Sequence, residues 1–326
     1  MEYKFAKPKE IIFLGYHDVV LDYLKINKKY KVKTTILVSS NQKRKIKLNQ
    51  IKILAFSKQN KNFFSRIKQI CSTKTDKLFI SVSWPWIINR DILKNLFSKE
   101  TLINVHHSRL PYDAGRATTS WKILRNDRIN STVIHFINDK LDNGDIIFRR
   151  DSLFSKKSKI PIEIDKEINH QSINMYKDFM QKIFDNTKFR ISSQPNLIGR
   201  YNMRLDTKLN AWVDWKWSSE QIYRFINAFE DPYEGAKTTI NNKEVRLKAV
   251  QIHGGESQNH PFMSGQILRN DRKWLLVATS DHNCLLIEKV LNAKGKNIIS
   301  DLREGNTFFT QLTKLNLSKK RSSINF

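Results

Sequence analysis

The residues best suited to chemistry lie in one segment: Asn104-Val105-His106-His107-Ser108, then Leu110-Pro111, Gly115-Arg116 and Trp121, followed later by Asp142-Asn143-Gly144. Asn104 and His106 are alternate residues, so on an extended strand both side chains leave the same face. An amide and an imidazole aimed at one carbonyl oxygen suit a reaction in which that oxygen becomes an anion. Asp142, set beside His106, would fix the ring and favour its protonated form. The pair can then take a proton from an attacking amine and return one to a leaving group. No Ser or Cys nucleophile with a paired base accompanies the three, so direct acyl transfer is the simpler chemistry. Singly, each residue has a bland explanation. An Asn or His at a strand end is often a satisfied polar cap, and Asp-Asn-Gly is a common turn. The combination at this spacing is what points to chemistry.

The flanking sequence must position these residues. In the N-terminal half, strand and helix signals alternate. Apolar runs at 10–15, 33–38, 52–56, 77–83 and 102–106 read as strands, and helices fall between them at 18–24, 62–70 and 91–97. This βαβ series predicts an α/β, Rossmann-like parallel sheet with helices on both faces. Ligands in such folds sit at the carboxyl ends of strands, where Gly15, the loop from Ser83 to Trp86, and His106 all fall. No G-x-G-x-x-G dinucleotide fingerprint is present. A helix is expected at 121–124, strands at 131–137 and 145–148 around Asp142, and a long helix at about 164–184.

Periodicity fades between Arg190 and Asn210, where Ser192-Ser193, Pro195 and Gly199 occur, and the domain boundary is placed there. The division is a first domain over 1–190, a linker over 191–211 and a C-terminal domain over 212–326. The last opens with a helix capped by Ser218 or Ser219, whose stripe of Ile222, Phe225, Ile226 and Phe229 reads as core. Short strands follow from Lys237 to Val290, the pattern of a small open barrel.

Composition sets the outer limits. A chain of 326 residues, 40% hydrophobic and 11% aromatic, is ordinary for a globular protein with two domains and a sizeable core. No run approaches a membrane span, the start Met1-Glu2-Tyr3-Lys4 lacks a signal peptide's apolar core, and two distant cysteines argue against a disulfide framework. A cytoplasmic enzyme is the default expectation. The net charge of +27 suggests a polyanion such as RNA. Composition also explains it: lysines outnumber arginines 40 to 18, the lysines are scattered, and Lys, Asn and Ile share A/T-rich codons. Arg, the better bidentate phosphate ligand, is the minority cation.

The run Asn104, His106, Ser108, Leu110-Pro111, Gly115, Trp121, Asp142 and Gly144 resembles, in order and spacing, the pattern of the 10-formyltetrahydrofolate-dependent formyltransferases, a family typified by methionyl-tRNA formyltransferase and the amino-sugar N-formyltransferases. The stretch Val213-Asp214-Trp215 with the helix after it, Pro232 to Ala236 and the strands beyond resemble that family's second, OB-like β-barrel domain. The resemblance implies a catalytic domain that binds folate and acceptor, followed by the barrel. It implies that Asn104 stabilises the oxyanion, His106 acts as acid and base, and Asp142 tunes it. It implies that 10-formyltetrahydrofolate is the co-substrate, without a metal. Its pocket would be formed by Trp86, Ile87 and Ile88 in the loop from Trp84, by Asn138, Asp139 and Leu141 before Asp142, and by Arg116. Ser108, Arg109 and Pro111 would meet the acceptor. Trp84 and Trp86 also have a bland reading as packing residues.

Three features depart from the pattern: Arg109 where leucine is usual, Thr118-Thr119 where many members carry proline, and Val133-Ile134-His135 following Ser131-Thr132 where glycine is frequent. They are expected not to touch Asn104, His106 or Asp142, but to bear on the acceptor. The tRNA enzymes carry a basic, glycine-containing insertion early in the first domain, whereas here Val38 runs to Ile51 without glycine. Gly115-Arg116-Ala117 also resembles the amino-sugar enzymes. The expected acceptor is the amine of a nucleotide-linked amino sugar for surface polysaccharide such as lipopolysaccharide O-antigen, with a homodimer possible. Methionyl-tRNA is the alternative, and a non-catalytic binding module on the same fold is the second.

Overall fold

The computed structural model describes residues 1–43, 46, 51–98, 101–115, 117–195, 200–254 and 259–320. The main sheet has seven strands: β1 (Glu10–Leu14), β2 (Lys33–Ser39), β3 (Lys52–Phe56), β4 (Lys77–Ser81), β5 (Thr101–His106), β6 (Ile129–Phe136) and β7 (Ile146–Leu153). Their order is β3-β2-β1-β4-β5-β6-β7. Besides a single turn at Ser40–Lys43, five helices among the described residues pack around or beside it: α1 (Val19–Lys29), α2 (Lys61–Cys71), α3 (Arg90–Leu96), α4 (Thr118–Arg125) and α5 (Pro161–Phe184).

Strands β1 to β5 are mutually parallel, as the alternating pattern predicts. Strand β6 runs antiparallel to both of its neighbours, β5 and β7, which corrects the expectation of a wholly parallel sheet. The reason lies in the connections. Only residues 137–145 join β6 to β7, too few for a parallel crossover, which needs a dozen or more. Between β5 and β6 the chain has room for a helix. That helix, α4, leaves the sheet, and the Ser120 hydroxyl donates to the carbonyl of Ala228 in the C-terminal part at 2.8 Å.

The strands are apolar on both faces because both are covered. Ile11, Phe13, Ile36, Val38, Leu78, Ile80, Ile103 and Val105 pack beneath α1 and α5, with Tyr23, Met175, Tyr176 and Phe179. Ile12, Leu14, Leu37, Phe79 and Leu102 pack on the other face with Phe63, Ile67, Ile92 and Leu96 of α2 and α3. Side chains alternate along a strand, so Asn104 and His106 share the second face with Leu102. Asn60 and Asn89 cap α2 and α3, accepting from Phe63 N at 3.2 Å and Ile92 N at 2.9 Å. Helix α5 starts at Pro161, three residues before the sequence reading places it, with Glu163 accepting from Lys159 N at 2.7 Å.

The C-terminal part opens with α6 (Ser219–Ala228), capped reciprocally by Ser218 and Gln221. Five antiparallel strands follow: β8 (Ala236–Ile240), β9 (Lys243–His253), β10 (Ile267–Asn270), β11 (Leu275–Ala278) and β12 (Cys284–Leu291), in the order β8-β9-β12-β11-β10. Residues 307–309 touch both margins of this sheet, through Thr239 with Phe309 and Gln266 with Thr307. The two parts share a core: Ile123, Phe154, Ile164 and Ile168 of the first pack with Trp215, Ile222, Ile226 and Phe229 of the second. Among the described residues no helix is long and apolar enough to cross a membrane.

Candidate active site

Asn104 and His106 occupy the last turn of pleat in β5, side by side on the face that α2 and α3 cover. Asp142 arrives from the 137–145 connection. Its backbone is left-handed at φ 52°, and its carboxylate Oδ1 lies 3.7 Å from His106 Nδ1. The side chains of His106 and Asp142 are only 16% and 11% exposed, so their mutual attraction is lightly screened. Among the described residues His106 Nε2 is buried with no protein partner, leaving that nitrogen for a reacting group. Among the described residues, no cluster of three or more His, Cys, Asp or Glu is placed to hold a metal ion.

The Asp142 loop is held from three sides. At Gly144 any side chain would place its Cβ 1.7 Å from the Phe136 carbonyl oxygen, so the motif glycine lets the loop close against β6. Gln194 Nε2 donates to the carbonyls of Asp142 at 3.0 Å and Gly144 at 2.6 Å. Ser192 pairs with Ile146 at the start of β7, through hydrogen bonds of 2.8 and 2.9 Å. The segment read as a linker therefore packs against the site, and sequence reasoning missed Gln194.

His135 lies directly across from Asn104 in the β5–β6 register, and its Nε2 is 3.1 Å from Asn104 Nδ2. Its ring is also 6.2 Å from that of His106, edge to face. This corrects the expectation that the departure at Val133-Ile134-His135 stays clear of the three residues. Strand pairing, which a linear reading does not provide, brings it there. Burial lowers the His135 pKa to about 4, with the neighbouring His106 acting in the same direction. His107 is lowered further, to about 3, first by burial and then by His106 and His17, and its Nδ1 is also buried without a partner among the described residues. Both rings are thus neutral at physiological pH.

The remaining candidates divide. Trp84 and Trp86 meet edge to face at 4.9 Å, and Trp84 stacks on Phe63 at 5.8 Å. With Ile88 and Ile137 they cover one apolar cluster on the face that carries Asn104 and His106. Ile87 and Leu141, 56% and 57% exposed, stand free beside it, with Asp139 exposed and Asn138 half-buried. Trp84 Nε1 is buried and has no partner among the described residues. An apolar surface with one orphaned donor suits a flat heterocycle. Arg116 lies outside the described residues.

Ser108 is fully buried, and its hydroxyl donates to the Asp113 carbonyl oxygen. Arg109 turns into the same loop, within 3.8 Å of Asp113 and 3.7 Å of Asp127, with its guanidinium 5.6 Å from the Tyr112 ring. Buried Lys122 and half-buried Arg125 complete this ionic network. Pro111 is half-buried. Gly115 and Trp121 have a structural reason that sequence reasoning did not supply. Strand pairing sets Asp113–Gly115 against Arg200–Asn202, a Cβ at Gly115 would meet the Asn202 oxygen at 2.2 Å, and Trp121 Nε1 donates to Met203 O at 2.8 Å.

The chain is similar to known proteins along most of its length. The formyl transferase family profile matches residues 16–173, and that of the formyl transferase C-terminal domain matches residues 207–305. Methionyl-tRNA formyltransferase of Prochlorococcus marinus is 25% identical over 313 residues, covering 89% of this chain and 90% of that protein. The N-formyltransferase from Helicobacter canadensis, solved with folinic acid and dTDP-3-aminofucose, is 18% identical with a TM-score of 0.64, covering 86% of this chain and 99% of that one. HypX from Aquifex aeolicus is 17% identical with a TM-score of 0.59, over 87% of this chain and 44% of that one. The chain belongs to the 10-formyltetrahydrofolate-dependent formyltransferases, and it is a formyltransferase.

Proposed function

We propose that this enzyme moves the formyl group of 10-formyltetrahydrofolate to the amine of a nucleotide-linked amino sugar. The observation that carries the chemistry is the free, buried Nε2 of His106, on a ring whose Nδ1 faces Asp142 and whose strand neighbour is Asn104. The folate delivers an activated formyl carbonyl. Asn104 N–H and protonated His106 donate to its oxygen as the acceptor nitrogen adds and the oxygen becomes an anion. His106, with Asp142 holding its charge, gives its proton to the folate nitrogen as the carbon–nitrogen bond breaks, and the neutral ring then takes up the proton that the added amine loses. The slot of Trp84, Trp86, Ile87, Ile88 and Leu141, with Asn138 and Asp139, would hold the pterin. Residues 1–190 would form the catalytic domain and 212–326 an OB-like domain; the contacts of residues 307–309 with both sheet margins support a nearly closed barrel.

The acceptor reading is supported by the glycine-free stretch from Val38 to Ile51 and by the fold match along nearly the whole of the sugar enzyme. A second reading, methionyl-tRNA, is supported by the sequence relatives and by the net charge of +27. The test is to supply 10-formyltetrahydrofolate with a panel of nucleotide amino sugars, with methionyl-tRNA, and with no acceptor. Turnover requiring an amino sugar is expected. No turnover with any acceptor would refute the reaction, and turnover with methionyl-tRNA alone would promote the second reading.

A further inference from the structure

We propose that His135 is a positioning residue for Asn104, its bare Nε2 holding the side-chain amide so that the second N–H is left for the reacting oxygen. The inference rests on the oxyanion role proposed for Asn104 above. It follows from a chain of donors and acceptors with one consistent solution. His135 Nδ1 lies 2.8 Å from the carbonyl oxygen of Phe136. A carbonyl oxygen accepts and never donates, so Nδ1 carries a proton. The residue is 2% exposed and its pKa falls to about 4, so the ring is neutral and has only that proton. Its Nε2 is therefore an acceptor.

Asn104 presents Nδ2 to that atom at 3.1 Å. An amide nitrogen only donates, so the pair matches. The flipped amide would set its oxygen lone pairs against the lone pair of Nε2, and it is excluded. One N–H is thus occupied by His135, while the other has no protein acceptor among the described residues. The direction of Asn104 is decided by the Phe136 carbonyl, two hydrogen bonds away. A neutral ring does this without competing for the proton that His106 uses.

The test combines kinetics and spectroscopy on the full chain. Formyl transfer from 10-formyltetrahydrofolate to dTDP-3-aminofucose, or to methionyl-tRNA if that is the acceptor turned over, is measured for His135→Phe, His135→Gln, Asn104→Ala and the His135→Phe/Asn104→Ala double variant. His135→Phe fills the space but cannot accept, and should lower kcat ~10-fold or more, with KM for both substrates within about threefold. His135→Gln restores an acceptor, and should recover most of the rate even if the Phe variant folds poorly. In the Asn104→Ala background, His135→Phe should cost less than about twofold, since its effect passes through Asn104. In nitrogen-15 spectra of the wild type, the resonances lost in His135→Gln should show a protonated Nδ1 and a bare Nε2. A proton on Nε2, or a His135→Phe loss of the same factor in both backgrounds, overturns the inference and leaves Asn104's role standing. Full activity of Asn104→Ala would overturn both.

Discussion

Gln194 donates from one side-chain nitrogen to the carbonyl oxygens on both sides of Asn143, those of Asp142 and Gly144. A residue fifty positions downstream thereby fixes the loop that carries the carboxylate of the active site. Its 8% exposure makes these bonds hard for water to replace.

Replacing Gln194 by Ala should therefore leave the fold intact and slacken the Asp142 loop. A displacement of about an ångström at a catalytic group costs ~10–10² in rate. The expected outcome is a kcat loss in that range, with the melting temperature lowered by only a few degrees. Steady-state kinetics beside a thermal melt checks it. Full activity in Gln194→Ala would show that the loop holds Asp142 unaided.

Asn104→Ala, His106→Ala and Asp142→Ala should each lower kcat by at least ~10² while folding normally, because each acts on the transition state. Their combined loss should fall far short of the product of the single losses, as for groups that act as one unit. Wild-type rates in His106→Ala would refute the assignment.

The grouping of Asn104, His106 and Asp142, to which the acid and oxyanion roles are proposed, was legible in the sequence because they sit on one strand and one turn at short, fixed spacing. What supports them was not. His135 and Gln194 reach the site through strand pairing and through the return of 191–195 along β7, which are long-range relations that no local spacing encodes. The parallel half of the sheet was legible because apolar strands and amphipathic helices alternate. The antiparallel half was obscured, since α4 has a helix's periodicity yet packs on α6 instead of crossing the sheet. The burial of Ser108 was not legible either: a polar residue inside the motif is drawn inward, its hydroxyl donating to a carbonyl of its own loop.

The buried imidazoles make stability fall in acid. His135 keeps its proton off in the folded state down to about pH 4, whereas the unfolded chain takes one up near 6.5. Between these values the unfolded state binds more protons, so unfolding becomes easier as pH falls. The contribution is complete above about pH 6.5 and lost progressively down to about pH 4, ~3 kcal/mol in all for a shift of this size. His107, lowered to about 3, acts with the same sign. Urea midpoints measured from pH 7.5 to 4.5 should fall steadily below 6.5, and His135→Gln should show a shallower slope. Equal slopes for the two proteins would rule out His135 as a source.

Gly144→Ala should be among the most damaging single changes in the site. The added methyl must displace the Phe136 carbonyl, and with it the neighbour of His135, so either β6 or the Asp142 loop moves. A loss of activity of at least ~10² is expected, with a measurable drop in melting temperature. Gly254→Ala, where the added Cβ meets nothing within 4 Å, is the matched control and should behave as wild type. Near-normal activity of Gly144→Ala would show that the close approach to Phe136 is relieved without cost to the site.

Salt separates the two acceptors. A nucleotide sugar brings about two phosphate charges, so few counterions are released when it binds. Its Michaelis constant should rise only slightly between about 50 and 200 mM salt. A tRNA engages many phosphates, and for several contacts the same change in salt weakens binding by orders of magnitude. The chain's net charge of +27 ensures attraction in either case, so affinity at one salt concentration decides nothing and the slope does. The expected result is a shallow slope with the amino sugar that turns over, and weak, steeply salt-sensitive binding of tRNA without turnover. Efficient formylation of methionyl-tRNA with a steep slope, and none of any amino sugar, would overturn the proposed acceptor and leave the chemistry of Asn104, His106 and Asp142 in place.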